Sequence, residues 1–586
     1  MKRSYTTLVM IVLLRMMATG QERFSENIRL NQIGFYPQAP KLAVVAGTGG
    51  GDFYVVDRMT RQKVYVGKLL RSERPAFSGK TTCTADFTAL TATGEYELVV
   101  PGEGRSYGFV VRPNIHDEIT KAAIKGFYYQ RMSVDLPERY AGKWHRAMGH
   151  PDTQVIIHAS AATPKKRAGT VVSSPRGWYD AGDYNKYVVN SGITMGTLLS
   201  AYEDFSPYFD QLKLNIPESS NDIPDFLDEI LWNLRWMLTM QDDDDGGVYH
   251  KCTNAEFDKM IMPAQAVAPR FMVQKSTPAT LDFAAVMAQA SRVFRKFPQL
   301  PGLADSCLTA SRLAWEWAVL HPAVAYDQSA INARYEPKIV TGEYGDRNFQ
   351  DEWIWAASEL FATTHEEQYI EHTNIVPDDK MPLPSWSQVR LLGYYTLSKL
   401  SDQLPKTFSQ SAAVVKLLIH FGDELMVALN QKPFRTVMGS TAKDFIWGSN
   451  AVAANQGIAL LQAYRLTKDK KYVDAALTNL DYLLGRNATG FSYLTGFGDK
   501  RTMDPHHRPS IADNIVEPVP GLLAGGPNPG MQDKCAGYPS AIPDEAYLDQ
   551  SCSYASNEIA INWNAALVYL AAAMEALQVE IGYDKP

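Results

Sequence analysis

The sequence predicts a chain of two unlike parts, an all-β sandwich of immunoglobulin-like size followed by a larger all-α domain. Three observations predict it. Up to about residue 112 the apolar residues come in short runs broken by Gly and Pro clusters, the pattern of strands and turns. After Pro113 such runs nearly vanish and apolar residues recur at helical spacing. At 586 residues the chain is also too long for one small core.

In the first part, Ile28–Gln32, Lys41–Val45, Phe53–Val56 and Tyr96–Val100 are the predicted strands, with Gly47-Thr48-Gly49-Gly50-Gly51 as a turn. The pair of cysteines that bridges antibody domains is absent, since Cys83 stands alone there. In the second part, Ile223–Gln241 carries an amphipathic stripe of Phe226, Leu227, Ile230, Leu231, Leu234 and Leu238. Similar runs fall at Leu281–Phe297, Thr309–Val319, Asp351–Thr363, Ser387–Lys399, Ala412–Leu429, Ala451–Leu466, Tyr472–Leu484 and Asn557–Val579. Helices alternating with long loops suit paired helical rings whose loops build a cleft at one end. No sequence repeat is visible, although periodicity alone also allows a helical array.

The N-terminus reads as an export signal. Lys2 and Arg3 precede the apolar run Leu8–Leu14, and Ala18-Thr19-Gly20 is a small-x-small cleavage site. The expected division is a signal over 1–20, the sandwich over 21–112 and the helical domain over 113–586, in an exported protein, periplasmic or extracellular. No later segment is apolar and long enough to span a bilayer. A net charge of −7 argues against a nucleic-acid partner. The five cysteines do not form a disulfide framework. Cys535 and Cys552 are close enough in sequence to pair in an oxidising compartment, but buried free thiols are the favoured expectation.

The motif of greatest interest is Gly177-Trp178-Tyr179-Asp180-Ala181-Gly182-Asp183-Tyr184-Asn185-Lys186-Tyr187. Two aspartates on one tight turn hold a water between them, one as base and one as orienter. A remote proton donor is needed, and Glu558 in Tyr554-Ala555-Ser556-Asn557-Glu558-Ile559-Ala560-Ile561-Asn562-Trp563 is the candidate. Paired carboxylates among aromatic residues suit glycoside hydrolysis. By itself each half has an ordinary reading, Asp-x-x-Asp as a turn and Glu558 as an acidic residue at a helix start.

Taken together, these segments resemble glycoside hydrolase family 9, the inverting cellulases, in the branch with an N-terminal immunoglobulin-like domain. The resemblance covers almost all of the chain. Asp180–Asp183 matches the family's base motif. Ser492–Lys500 with Pro505-His506-His507-Arg508-Pro509 matches its substrate loop, and Tyr547-Leu548-Asp549 with Tyr554–Ala565 its acid signature. Ile28–Phe35 is similar to the opening strand of the accessory domain. The resemblance implies an (α/α)6 barrel and an endo-acting β-1,4-glucanase. Asp183 is then the base, Asp180 its water-holding partner, Glu558 the acid, and Asp549 a further signature acid or its supporting partner. His506, Arg508, Tyr554 and Trp178 bind sugar. Exo action, a preference for xyloglucan or mixed-linkage glucan, and a non-catalytic glycan-binding protein remain alternatives.

The chemistry needs no cofactor. The resemblance implies a structural Ca2+ at Asp351 and Glu352, weakened because Ser387-Gln388 stand where a further Asp is expected. Asp242–Asp245 reads as a solvated turn more than a Ca2+ loop. Zinc on His145, His150 and His158 is disfavoured, because no cysteine lies between 84 and 251. The expected partner is a β-glucan polysaccharide or oligosaccharide, and a monomer is expected.

Overall fold

The computed structural model describes residues 22–47, 50–406 and 408–585, so the expected export signal lies outside the described residues. Eight strands form the N-terminal sandwich: β1 (Ile28–Arg29), β2 (Gly34–Phe35), β3 (Leu42–Ala46), β4 (Gly51–Asp57), β5 (Lys63–Arg71), β6 (Thr82–Asp86), β7 (Gly94–Val100) and β8 (Gly104–Val111). Their order is β1-β3-β6-β5-β4-β7-β8-β2, antiparallel except for β2 on β8. The long strand β5 closes the sandwich. Lys63 to Leu69 pair with β4, and Leu70 and Arg71 pair with Thr84 and Cys83 of β6. Phe35, Phe53, Phe87, Leu98 and Phe109 fill the space between the two layers.

The predicted first strand stops early. After Arg29 the chain turns to meet the second domain, and the Gln32 amide donates to the Leu484 carbonyl at 3.0 Å. Asn31 donates to Asp481 at 2.8 Å, and Gln32 to the carbonyl of Gly490 at 2.9 Å. Tyr36 enters the core of the helical domain and donates to Glu575 at 2.6 Å. The interface is therefore buried polar pairing set in apolar packing. Removing residues 21–112 strips donors from two buried carboxylates, each worth about 1–3 kcal/mol when left unsatisfied. A chain beginning at residue 113 is expected to be insoluble or to melt well below the whole protein. Calorimetry of a soluble truncation with unchanged melting would refute that expectation.

Among the described residues eleven helices of ten residues or more follow: α1 (Asp117–Tyr129), α2 (Val188–Phe209), α3 (Asp225–Thr239), α4 (Thr277–Phe294), α5 (Leu303–Leu320), α6 (Gln350–Thr364), α7 (Arg390–Lys399), α8 (Ser411–Leu425), α9 (Ser449–Thr467), α10 (Lys471–Leu483) and α11 (Ile561–Leu577). The local signals are legible. Ser276 caps α4, accepting from the Ala279 amide at 3.3 Å with Pro278 in the first turn. Pro224 sets the start of α3, with Asp225 and Asp228 in its first turn, where the helix dipole favours acids. Helix α2 was not foreseen. It is buried on nearly every side, so it has no polar face to give it a stripe.

A second sheet was also not foreseen. Strands β9 (Val155–Ile157), β10 (Val171–Val172), β11 (Lys186–Tyr187), β12 (Lys251–Asn254) and β13 (Arg270–Met272) run in the order β10-β9-β13-β12-β11. Each is two to four residues long, too short to show alternation. This sheet carries the base turn: β11 follows Asp183 by three residues and pairs Tyr187 with Lys251.

Candidate active site

The base turn runs from Asp180 to Asn185, closed by the Asp180 amide donating to the Asn185 carbonyl at 3.1 Å. Three segments distant in sequence are laced together around it. The Arg508 amide donates to the Gly182 carbonyl at 3.2 Å, and the Ile561 amide to the Asp180 carbonyl at 2.9 Å. The His506 amide donates to the Asn557 carbonyl at 3.1 Å. Glycine at 182 follows from this lacing, because a Cβ there would lie 2.0 Å from the carbonyl oxygen of His506. Glu558 is not in the first turn of a helix, as its apolar periodicity suggested. It lies in extended backbone, bridged to His506, and α11 begins three residues later.

Asp183 is 5% exposed. Its Oδ2 accepts from the Asn185 amide group at 2.6 Å and the Tyr187 hydroxyl at 3.0 Å. Its Oδ1 has no protein partner and the residue lines the cleft, so this oxygen is available to a water. Asp180 accepts from Asn190 at 2.8 Å and from the Tyr344 hydroxyl at 2.7 Å. Burial, and then the charge of Asp183, raise its pKa. Glu558 is pushed well above the usual carboxylate range by burial first, then by Asp183. Arg508 opposes this shift without cancelling it. A carboxyl kept protonated faces one hydrogen-bonded on a single oxygen, the pattern by which environment divides acid from base.

The cleft holds about 750 Å³. His506, Arg508 and Tyr554 line it. Nδ1 of His506 is committed to the Ser551 carbonyl at 2.6 Å, and its ring meets Tyr554 at 5.6 Å. Arg508 is anchored by the carbonyls of Gly182 at 2.7 Å and Asp258 at 2.9 Å. Trp178 does not reach the cleft. Its indole is fully buried, donates to Glu229 at 2.8 Å and packs 4.6 Å from Phe127, so the sugar-binding expectation is corrected to a core role. Asp549 is also outside the cleft lining. It accepts from the amides of Met503 and Asp504 at 2.8 and 3.1 Å and from Asn557 at 3.1 Å. It thus ties the substrate loop to the residue before the acid.

Several cleft residues were missed. Phe257, Tyr344, Trp386, Trp447 and Trp563 line it with their rings. Trp563 and Tyr187 stand inside motifs already singled out, and only that adjacency pointed to them. The others come from loops with no periodicity.

In the acidic run Asp242–Asp245 only Asp242 is buried; the other three are exposed, as a solvated turn expects, and lysines pair with the run. Lys166 reaches Asp242 at 2.5 Å, Lys275 reaches Asp242 and Asp245 at 2.6 and 2.7 Å, and Lys165 reaches Asp244 at 3.2 Å. The histidines expected as unfavourable for zinc are separately engaged: His145 with the Gly142 carbonyl, His150 with Tyr179, and His158 with Ser160 and the Pro337 carbonyl. Asp351 and Glu352 are buried at the start of α6, with one oxygen each lacking a partner. Both oxygens of the buried Asp282 also lack one. Unpaired buried carboxylates are the donor chemistry of a hard divalent cation, so these residues fit Ca2+. Contrary to the favoured expectation of free thiols, Cys535 and Cys552 form a disulfide.

Comparison with known proteins decides the family. The model for glycosyl hydrolase family 9 matches residues 116–571, and that for the cellulase N-terminal ig-like domain matches 23–105. The chain belongs to glycosyl hydrolase family 9. As a family 9 chain it is 47% identical over 558 residues to a xyloglucan-specific endo-beta-1,4-glucanase of Bacteroides ovatus, covering 95% of this chain and 94% of that one. It is 34% identical to Endoglucanase D of Acetivibrio thermocellus, covering 97% of this chain and 85% of the relative. A solved Bacteroides ovatus GH9 structure superposes with a TM-score of 0.90 at 45% identity, covering 95% of this chain and all (100%) of that one.

Proposed function

We propose that this glycoside hydrolase is an endo-acting β-1,4-glucanase that cleaves with inversion and prefers xyloglucan. The observation that carries the mechanism is the unpaired Oδ1 of Asp183 in the same cleft as a buried, proton-retaining Glu558. Glu558 protonates the departing glycosidic oxygen. Asp183, held on Oδ2, takes the proton of a water that attacks the anomeric carbon from the opposite face. Asp180 steadies that water, itself oriented by Asn190 and Tyr344. Rings at Trp386, Trp447 and Tyr554 give apolar sugar faces a surface to stack on. A non-catalytic glycan binder has no use for an acid and a base so unlike in environment.

The preference for xyloglucan rests on the relationship to the Bacteroides ovatus enzyme. Chromatography of products from carboxymethylcellulose, barley glucan, xyloglucan and cello-oligosaccharides tests it. Xyloglucan cleaved fastest, with mid-chain products, is expected. Release of only glucose or cellobiose would establish exo action instead, and faster cleavage of barley glucan a mixed-linkage preference.

The helix arrangement supports an (α/α)6 barrel over 113–586, behind a sandwich over 21–112. Contacts of α2 with α4, α4 with α6, α6 with α7, α9 with α11 and α11 with α2 support these six as its inner ring, with α1, α3, α5, the short helix Gln368–His372, α8 and α10 as the outer one. A Ca2+ held by Asp351 and Glu352 would brace the start of α6 by neutralising buried charge. No helix among the described residues is long and apolar enough to cross a membrane. The N-terminal signal pattern supports export, and the Cys535–Cys552 bond supports an oxidising compartment. A monomer acting on β-glucan completes the reading.

A further inference from the structure

Lys251 is a buried ammonium directly beneath the base turn, and it is not part of the cleft lining. On β12 it stands opposite Tyr187 of β11, the residue whose hydroxyl donates to Asp183. Its Nζ donates to the Gly342 carbonyl at 2.6 Å, the Thr341 hydroxyl at 3.1 Å and Gln328 Oε1 at 2.7 Å. Thr341 and Gly342 belong to the loop that carries Tyr344, the donor to Asp180, and Gln328 is tied to that loop by donating to the Thr341 carbonyl at 2.8 Å. A second route runs through hydroxyls. Thr341 and Thr253 are bonded at 2.6 Å, Thr253 donates to Asn185 Oδ1 at 3.0 Å, and Asn185 donates to Asp183 at 2.6 Å. Three acceptors around one ammonium therefore fix the backbone that aims donors at both aspartates.

We propose that Lys251 is a positioning residue for the base: it clamps the 341–344 loop against β11 and β12. Asp183 and Glu343 are the anions that face it, with the rings of Tyr187 and Tyr326 at 5.5 and 5.3 Å. The adjacent His250 stacks on Tyr326 at 4.2 Å and is held neutral by burial. Burying a lysine without a direct carboxylate contact is costly. Burial pulls its pKa down to about 7 against the opposing pull of Asp183 and Glu343. A purely structural position would be filled better by an apolar residue.

The inference rests on the hydrolase reading, and wild-type activity on xyloglucan and cellotetraose tests that reading separately. With an active wild type, Lys251→Met is expected to lower kcat by about ten- to a hundredfold, the cost of mispositioned groups, with KM within about twofold. Lys251→Arg, which keeps the charge and its donors, recovers part of the lost kcat. If circular dichroism shows Lys251→Met unfolded, Thr341→Val becomes the deciding variant. It removes one hydroxyl from the clamp and lowers kcat at least about threefold with KM steady. A folded Lys251→Met, or failing that Thr341→Val, with wild-type kcat overturns the proposal.

Discussion

Glu558→Gln is expected to lower turnover of unactivated glucans at least about a hundredfold while leaving the protein folded, within the ~10²–10⁴ that general acid–base catalysis contributes. The amide keeps the shape of the side chain and cannot supply a proton. Glu558 is placed by backbone, through its bridge to His506 and the Gly525 amide donating to its carbonyl at 2.8 Å, so the substitution leaves that frame intact. The sign of the pH effect follows. Burial and Asp183 hold the Glu558 proton on to higher pH than an ordinary carboxyl, so wild-type activity is lost on the alkaline side as that proton leaves. In Glu558→Gln the alkaline limb disappears. Glycosyl fluorides, whose leaving group needs little protonation, suffer less. Near-normal hydrolysis of cellotetraose by the variant would remove Glu558 from the acid role.

Asp183→Ala is expected to be nearly inactive, with Asp180→Ala impaired less. The difference follows from their bonds. Asp183 has one carboxylate oxygen without a protein partner in the cleft, whereas both oxygens of Asp180 are engaged by Asn190 and Tyr344. Alanine at 183 vacates the place of the carboxylate, and external azide restores part of the activity by attacking from that space. With wild-type enzyme the first product from a β-linked substrate is the α-anomer, since water rather than a carboxylate attacks carbon. Proton NMR within the first minutes reads the anomer before mutarotation. An initial β-anomer would demand a covalent intermediate and defeat the whole role assignment.

What was legible in the sequence was the chemistry carried by compact motifs. Asp180, Asp183, His506, Arg508, Tyr554 and Glu558 all meet at one cleft. What was not legible depended on where a side chain turns. Trp178 lies two residues before Asp180, yet it points into the core toward Glu229. The tryptophans Trp386 and Trp447 reach the cleft from irregular loops, where no period announces them. The stretch from 557 reads as continuous helix because its residues are apolar at helical spacing. The extended segment at Glu558–Ala560 is imposed from outside, by bridges to His506, Ala181 and Ala524. Tertiary pairing overrides local pattern there, and that override places the acid. On the sandwich side, β5, β6 and β8 were missed for the opposite reason. Lys, Arg, Thr and Ser are mixed into them, in β6 and β8 even at the buried positions of Thr82, Thr84 and Ser106, and dilute the apolar signal.

The packing of Tyr36 has a consequence for how the molecule comes into being. Its hydroxyl meets Glu575, its ring stacks 5.7 Å from Tyr583, and the Gln38 amide donates to the Tyr583 carbonyl at 3.1 Å. During synthesis the sandwich can form its own layers early and meet residues 431–435 next, but the Tyr36 corner waits 539 residues for its partner. Contacts this far apart along the chain close slowly, because their loop entropy is paid before the contact rewards it. The N-terminal domain therefore serves as a latch that closes on Glu575 and Tyr583, and a nascent chain stopped short of Glu575 leaves that latch open.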